Sequence, residues 1–448
     1  MTRMVFRKVA VRAVLAVSVM AAAGARAAGF GLYETSAKGN AMGGAQVGRT
    51  PDASAVQVNP ANMADTSGFQ SMAGVTVIGP AGKVKTLDGN YKISDQWFTP
   101  PHVYVTWQPV NEVEWLSPFR LGAGLYSEFG MGTSYSGDWA GRYNSLETKL
   151  ESFTISPTIA YTFFDKLSVG AGFRAIYVDF FNDRLLRTPD RSLAPLPGAL
   201  ADHWGPTMGR TSVHGDGWGF GWLAGLKYEV LDDLDVGIVY RSRLRTNLEG
   251  DGWYEPRASH PTGPYANYIP TAPRSHAADG EATVLLPSSA TIGANYYLFE
   301  RDLNLGFAVT WTEWSTYNAL NIYFSEPLIP DVPTSASSLN TKDWDDVWRF
   351  GFGACYNLTE SLSVMAGYVY DMCPINSHHT DFMMPAGDRH IVGVGLGYAR
   401  DNWFVNAGYN YLMMVETTRM VDNGEKPLRA TFSNMDAHMF AVSMGLNF

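Results

Sequence analysis

The chain has 448 residues, with 33 Lys and Arg against 43 Asp and Glu, a net charge of −10 with neutral histidines. That balance excludes the basic footprint that nucleic-acid binding requires. Two cysteines, Cys355 and Cys373, are too few for a disulfide framework.

The first element is an export signal, 1–27. Arg3, Arg7, Lys8 and Arg12 give a positive start, Ala13 to Ala23 is apolar, and Ala25-Arg26-Ala27 is a small-x-small cleavage site. The apolar run is too short to span a bilayer comfortably. Removing this segment takes away five basic residues and leaves 28 basic against 43 acidic. Residues 28–68 come next, rich in small residues, with Gly29, Gly31, Gly39, Gly43, Gly44 and Gly48.

From residue 69 the pattern is period-2 alternation. Fourteen strands are predicted near 69–78, 100–108, 119–129, 151–163, 167–180, 214–230, 234–248, 281–298, 302–317, 346–357, 361–372, 388–400, 402–415 and 436–448. The last is the clearest: Phe440, Val442, Met444, Leu446 and Phe448 share one face, and Met439, Ala441, Ser443, Gly445 and Asn447 the other. Short connections (Phe164-Asp165-Lys166, Leu231-Asp232-Asp233, Glu300-Arg301, Leu358-Thr359-Glu360, Arg400-Asp401) alternate with long ones rich in Pro, Gly and Asp. Short turns on one side and long loops on the other are the signature of an outer-membrane barrel. A mean hydropathy of −0.11 is compatible with this, since every second residue faces the lumen. The fold class read from the sequence is therefore all-β, a 14-stranded antiparallel transmembrane barrel. A barrel this wide is not filled by its own wall side chains, so 28–68 is read as an N-terminal hatch, or plug.

Several features break or decorate the rhythm. Tyr126-Ser127-Glu128-Phe129-Gly130-Met131-Gly132 interrupts the third strand, where Gly130 and Gly132 permit departures from the ladder. Leu193, Leu196, Leu200 and Trp204 recur at helical spacing after strand five, and Trp253, Tyr254, Tyr265, Tyr268 and Ile269 lie between strands seven and eight. Such apolar loops are expected to form a landing groove for a greasy ligand. Arg120, Arg174, Arg241, Arg243, Arg349 and Arg389 fall in the inward frame, where ion pairing with hatch and wall carboxylates is expected. Cys355 and Cys373 fall at opposite ends of adjacent strands and are expected to stay unpaired. His378-His379-x-Asp381 lacks further ligands at metal spacing. No cofactor or metal is predicted.

Ala28-Gly29-Phe30, Glu34-x-Ser36-Ala37-x-Gly39, Ala53 and Asn59-Pro60-Ala61 resemble the hatch of the FadL-type outer-membrane transporters of long-chain fatty acids and aromatic hydrocarbons. Trp218-Gly-Phe-Gly-Trp222, Tyr240-Arg241-Ser242, Trp314-Ser315 with Tyr317, and the terminal Phe extend the resemblance over the whole mature chain. It implies loop capture, a pocket between hatch and barrel, and lateral release into the membrane through a gap at the third-strand kink. It makes Phe30 a pocket plug displaced by ligand and Asn59-Pro60-Ala61 a gate-lining turn beside the wall opening. Ser127, Phe129, Gly130 and Gly132 then frame that opening. It also places a carboxylate-holding Arg at Arg184, and Asn321 where fatty-acid members carry a Lys. The missing cation leans the substrate toward a neutral hydrocarbon. The implied partners are a hydrophobic small molecule, outer-membrane lipid and lipopolysaccharide, and the barrel-assembly machinery through Phe448; the chain is expected to be a monomer in the outer membrane of a Gram-negative bacterium. A general aqueous porin and an outer-membrane lipid hydrolase are the alternatives. The second needs a nucleophilic Ser within reach of a His, and no His here is followed two residues later by Ser.

Overall fold

The computed structural model describes residues 29–109, 116–164, 166–186, 209–256, 275–329, 333–423 and 427–448. The expected signal and the loop residues Leu193, Leu196, Leu200, Trp204, Tyr265, Tyr268 and Ile269 lie outside them.

Alternating residues over 380 positions have one way to bury a polar face and expose an apolar one in lipid: a closed sheet. The described strands form a single antiparallel sheet of twenty-one segments that align into fourteen staves. Stave 1 is β1 (Phe69–Lys85). Stave 2 is β2 (Asn90–Lys92) and β3 (Pro101–Trp107), both paired with β1, and stave 3 is β4 (Phe119–Tyr126) with β5 (Met131–Ser134). Staves 4 to 6 are β6 (Glu147–Phe163), β7 (Leu167–Leu186) and β8 (Gly209–Leu231). Staves 7 to 10 are each broken: β9 (Leu234–Arg241) and β10 (Leu244–Pro256), β11 (His276–Leu286) and β12 (Ser289–Leu298), β13 (Leu303–Thr312) and β14 (Ala319–Phe324), β15 (Ser337–Thr341) and β16 (Val347–Asn357). Staves 11 to 14 are β17 (Leu362–Asp371), β18 (Arg389–Arg400), β19 (Trp403–Met414) with β20 (Thr417–Asp422), and β21 (Pro427–Asn447). The barrel closes where β1 pairs β21, from Gln70↔Asn447 to Lys85↔Thr431.

The five short connections fall between the segments as expected, with left-handed backbone at Phe164, Phe299, Glu300, Arg301 and Asp401. The staves outrun their predicted lengths at the loop end; β21 starts at Pro427 rather than 436. There the loops cover the wall, so the apolar-outside signal fades although the ladder continues. Facing is as expected in the last stave. Phe440, Val442 and Met444 are half exposed, while Met439, Ala441 and Ser443 are buried.

Residues 29–68 lie against the inner face. They form α1 (Ala37–Ala41), α2 (Ala55–Val58) and a 3-10 helix, Pro60–Asp65. Ser36 caps α1 by accepting the Gly39 amide at 3.0 Å. Asn59 accepts the Ala61 amide at 3.1 Å, with Pro60 at the first helical position, where its missing N–H is not needed. Gly43, at φ +61°, brings the backbone so near the carbonyls of Phe352 and Tyr368 that a side chain has no room.

Of the six arginines expected inside, Arg243 is the exception. A bulge at 242–243 shifts the frame between β9 and β10, and Arg243 is exposed, paired with Glu313 at 3.2 Å. Arg174 pairs with Glu128 at 2.7 Å. Arg120, Arg241 and Arg389 donate instead to backbone carbonyls of Thr66, of Gln57 and Val58, and of Gly29. Both cysteines are free and buried, and burial pushes the Cys373 thiol up to about 12.

Candidate functional site

The site begins at the break in stave 3. The β4–β6 ladder ends at Tyr126↔Thr154 and resumes as β5–β6 at Met131↔Leu150. Four residues of stave 3 (127–130) thus oppose three of stave 4 (151–153), a bulge that turns the chain inward. Ser127, Glu128 and Phe129 are all buried, which no alternating strand produces. Ser152 holds the displaced chain: its hydroxyl accepts the Phe129 amide at 3.0 Å and donates to the Phe129 carbonyl at 2.7 Å.

The front of the N-terminal segment pairs with this displaced chain. The Leu32 amide donates to the Glu128 carbonyl at 2.8 Å, and the Gly130 amide to the Phe30 carbonyl at 2.9 Å. These two bonds place the Phe30 ring, 2 % exposed, in an aromatic box. Its centroid lies 4.8 Å from Trp314, 5.4 Å from Tyr317, 5.7 Å from Trp344 and 5.9 Å from Phe129, all edge to face.

Toward the loops, a cavity of about 240 Å³ continues the same apolar cluster. Phe180, Leu320, Ile322, Phe324, Leu328 and Ile329 supply its greasy wall. Arg184, Asn182, Ser338 and Asn340 form its polar pole. Arg184 donates to Ser338 at 3.1 Å and has no carboxylate partner among the described residues. Asn321 belongs to the other face. In β14, Leu320, Ile322 and Phe324 point into the cavity, so Asn321 and Tyr323 point away, and Asn321 pairs with the outward Leu339 of β15. Its identity therefore says nothing about ligand charge. A second cation, Lys342, is buried near the cavity but is neutralised by Asp381, and its ammonium also lies 3.4 Å from the Met383 sulfur.

Toward the periplasm the box rests on a polar floor. Arg174, Arg241, Arg349, Glu128, Thr310 and Thr312 line a smaller space of about 100 Å³ beneath Trp314. Asn59-Pro60-Ala61 is lower still and not beside the wall opening. Asn59 donates to the Val47 carbonyl at 3.0 Å and to the Leu226 carbonyl of β8 at 3.1 Å, and Pro60 sits against Gly170 of β7. The turn braces the segment against staves 5 and 6. The residues at the foot of the break are Tyr104 and Tyr126, packed with Val56 of α2.

A family model described as "Outer membrane protein transport protein (OMPP1/FadL/TodX)" matches residues 18–448. The chain belongs to the FadL/TodX family. It is a transport protein of the Gram-negative outer membrane. It is 26% identical over 401 residues to the long-chain fatty acid transport protein of Salmonella typhi, covering 86% of this chain and 87% of the relative. It is 26% identical over 435 residues to outer membrane protein P1 of Haemophilus influenzae, covering 88% of each. Its fold superposes on a Pseudomonas aeruginosa FadL homologue with a TM-score of 0.79 at 21% identity, over 94% of this chain and 100% of that one. The toluene transporter TodX of P. putida superposes with a TM-score of 0.68 at 19% identity, over 92% and 98%.

Within this FadL/TodX-family barrel, sequence reasoning missed Trp344, which closes the box from a loop segment with no periodicity. It also missed Phe382, Met383 and Met384, buried at the loop end. The Tyr135 hydroxyl donates to the Phe382 carbonyl at 3.2 Å and Thr133 to the Met383 carbonyl at 3.0 Å. An apolar run in an otherwise polar loop, Phe382-Met383-Met384, was the available signal.

Proposed function

We propose that this protein takes up a hydrophobic small molecule through the cavity, displaces Phe30 from its aromatic box, and releases the molecule sideways through the break in stave 3. The observation that carries this reading is the position of Phe30. The ring belongs to the apolar cluster that lines the cavity and packs edge to face on Phe129 of the wall break. Each methylene returned to water costs about 0.8 kcal/mol, so a route that stays apolar avoids a barrier that grows with ligand length. The polar floor beneath the box opposes an axial exit for the same reason.

The preferred substrate class is a long-chain monocarboxylate. Arg184 is a cation held at the edge of an apolar cavity with a hydroxyl as its partner, and a ligand carboxylate supplies the missing charge-assisted bond. The relatives named for long-chain fatty acid transport agree with this. A neutral monoaromatic hydrocarbon is the second reading, favoured by size: an apolar cavity of about 150 Å³ holds benzene, and this one is about 240 Å³. The apolar loops after staves 5 and 7 are the capture surface, the protein acts as a monomer, and the exposed Phe448 is the handle for the barrel-assembly machinery. The family consists of transport proteins rather than enzymes, and the filled lumen opposes a general porin.

The test is uptake of oleate and of toluene by vesicles carrying the protein. Ser127→Arg and Gly130→Arg put a charged side chain into the break and should abolish uptake, while the folded band still shifts on boiling. Undiminished uptake in folded variants would mean release down the lumen.

A further inference from the structure

The break in the wall lies opposite a proline of the neighbouring stave. β3 and β4 pair in unbroken register from Trp107↔Leu121 to His102↔Tyr126. One more step sets Pro101 opposite Ser127. Above the break the Ser94 amide donates to the Ser134 carbonyl at 2.8 Å, which is the same register resumed. The two staves therefore part and rejoin without slipping.

In a ladder, successive residues direct their backbone groups to opposite neighbours. The Pro100 carbonyl accepts the Thr76 amide of stave 1 at 3.1 Å, and Phe98 exchanges both backbone bonds with Ile78 at 2.9 and 2.8 Å. Phe98 and Pro100 thus face stave 1, which leaves Thr99 and Pro101 facing stave 3. Proline has no N–H to give. The first rung missing from the wall is the one that Pro101 cannot donate. On the far side of the break, the Ser152 hydroxyl already satisfies the Phe129 amide and carbonyl. The ring of Phe98 lies against Gly132 and bounds the gap above.

We propose that Pro101 is the positioning residue that keeps the lateral opening from zipping shut, by withholding the ladder bond at which closure of staves 2 and 3 would start. The proposal rests on the lateral-exit reading above. Pro101 touches no part of the cavity or the Phe30 box, so it acts on passage and not on binding.

The experiment compares Pro101→Ala with Pro100→Ala in the full-length protein in proteoliposomes. Uptake of oleate and of toluene is followed, together with equilibrium binding of each and hydrogen exchange of the new amide. In Pro101→Ala the amide at 101 should be protected and the uptake rate should fall about fivefold, the worth of one net hydrogen bond, with the binding constant unchanged. Pro100→Ala places its new amide toward stave 1 and should leave uptake as it was. An exchanging amide at 101, or a protected one with undiminished uptake, overturns the proposal. Ser127→Arg separates the two ideas. If it blocks uptake while Pro101→Ala does not, the role of Pro101 fails and lateral exit stands; if neither affects uptake, lateral exit itself fails.

Discussion

The body of the N-terminal segment and its leading end are held in the barrel by different chemistry. Residues 37–66 are tied to the wall by directional polar bonds on many sides. The Ala37 amide meets the Ser443 hydroxyl at 2.8 Å, Asn410 donates to the Asn40 carbonyl at 2.8 Å, and Asn295 to the Ala45 carbonyl at 3.1 Å. Buried charges finish the attachment: Arg49 pairs with Asp235 at 3.1 Å, and Lys227 pairs with Asp65 and, at 3.1 Å, with Glu229. Residues 29–35 carry no ion pair to the wall among the described residues; they are held by one buried ring, the two backbone bonds to the stave 3 break, the Arg389 bond to Gly29, the Tyr104 hydroxyl on the Thr35 carbonyl at 2.9 Å, the Tyr33 hydroxyl against Thr312 at 3.3 Å and the stacking of Arg349 on Tyr33 at 4.3 Å. A hydrophobic ligand cannot replace an ion pair, but it can replace a phenyl ring. On the route proposed above, ligand exchange would move the leading end and leave the body seated.

The largest effect should come from breaking the body. Lys227→Met leaves Asp65 buried with Arg49 3.6 Å away as its remaining cation. Breaking a buried pair this way costs about 3–5 kcal/mol, and the lower end applies because Arg49 compensates in part. A lowered midpoint for heat-induced loss of the folded gel band and a steady ion leak in planar bilayers are expected. Phe30→Ala should behave differently. Emptying a buried aromatic site costs about 3 kcal/mol, but the loss falls on the leading end. Protection of the Leu32 and Gly130 amides should drop while the barrel midpoint and ion leak hold. Equal leak in both variants would erase the distinction between body and tip.

Sequence carried the barrel and much of the site because lipid on one side and polar contents on the other imprint a period of two. The Tyr126–Gly132 anomaly is visible for the same reason: it violates that period. A bulge conceals the facing of the residues beyond it, since one inserted residue swaps the two faces. Arg243, at the 242–243 bulge, reads as lumenal only on a parity that the irregularity resets, and Asn321, placed at the site by resemblance alone, lies past the 3-10 turn at Trp314–Thr316, beyond which the facing cannot be counted forward from β13. Asn59-Pro60-Ala61 shows a different limit. Its local turn is legible, but whether the turn meets stave 3 or staves 5 and 6 depends on contacts more than a hundred residues away. The signal, the apolar loop at 193–204 and most of the loop at 257–275 lie outside the described residues.

The cavity offers a sharper reading of what displaces the tip. If a carboxylate sits at Arg184, Arg184→Ala removes a charge-assisted bond worth about 1.5–3 kcal/mol, and oleate affinity should fall by about 10- to 100-fold while toluene uptake is unchanged. Equal loss for both ligands would show that Arg184 shapes the cavity and does not read charge. Asn321→Lys, on the opposite face of β14, should alter neither.

The smallest effect concerns pH and belongs to the tip. Burial pushes the Glu34 carboxyl above its ordinary value of 4.5, with backbone hydrogen bonds at Glu34 and Tyr33 and the charges of Arg349 and Arg389 offsetting part of that rise, and its Oε2 has no hydrogen-bond partner. A raised value means that the seated tip holds the proton more tightly than the released tip does. Seating is therefore fully favoured below the ordinary value and weakens as pH rises through the raised one. The body has no such dependence on Glu34, so the comparison between the two regions should itself depend on pH. Protection of the Leu32 amide, corrected for intrinsic exchange, should fall between pH 4 and pH 8, while that of the Asn40 amide in α1 stays flat. Glu34→Gln, neutral at every pH, should abolish the slope and keep the tip seated. A slope that survives in Glu34→Gln would assign the pH response to another group, and a flat profile in the wild type would mean that the arginines already hold the carboxylate ionised in its seat.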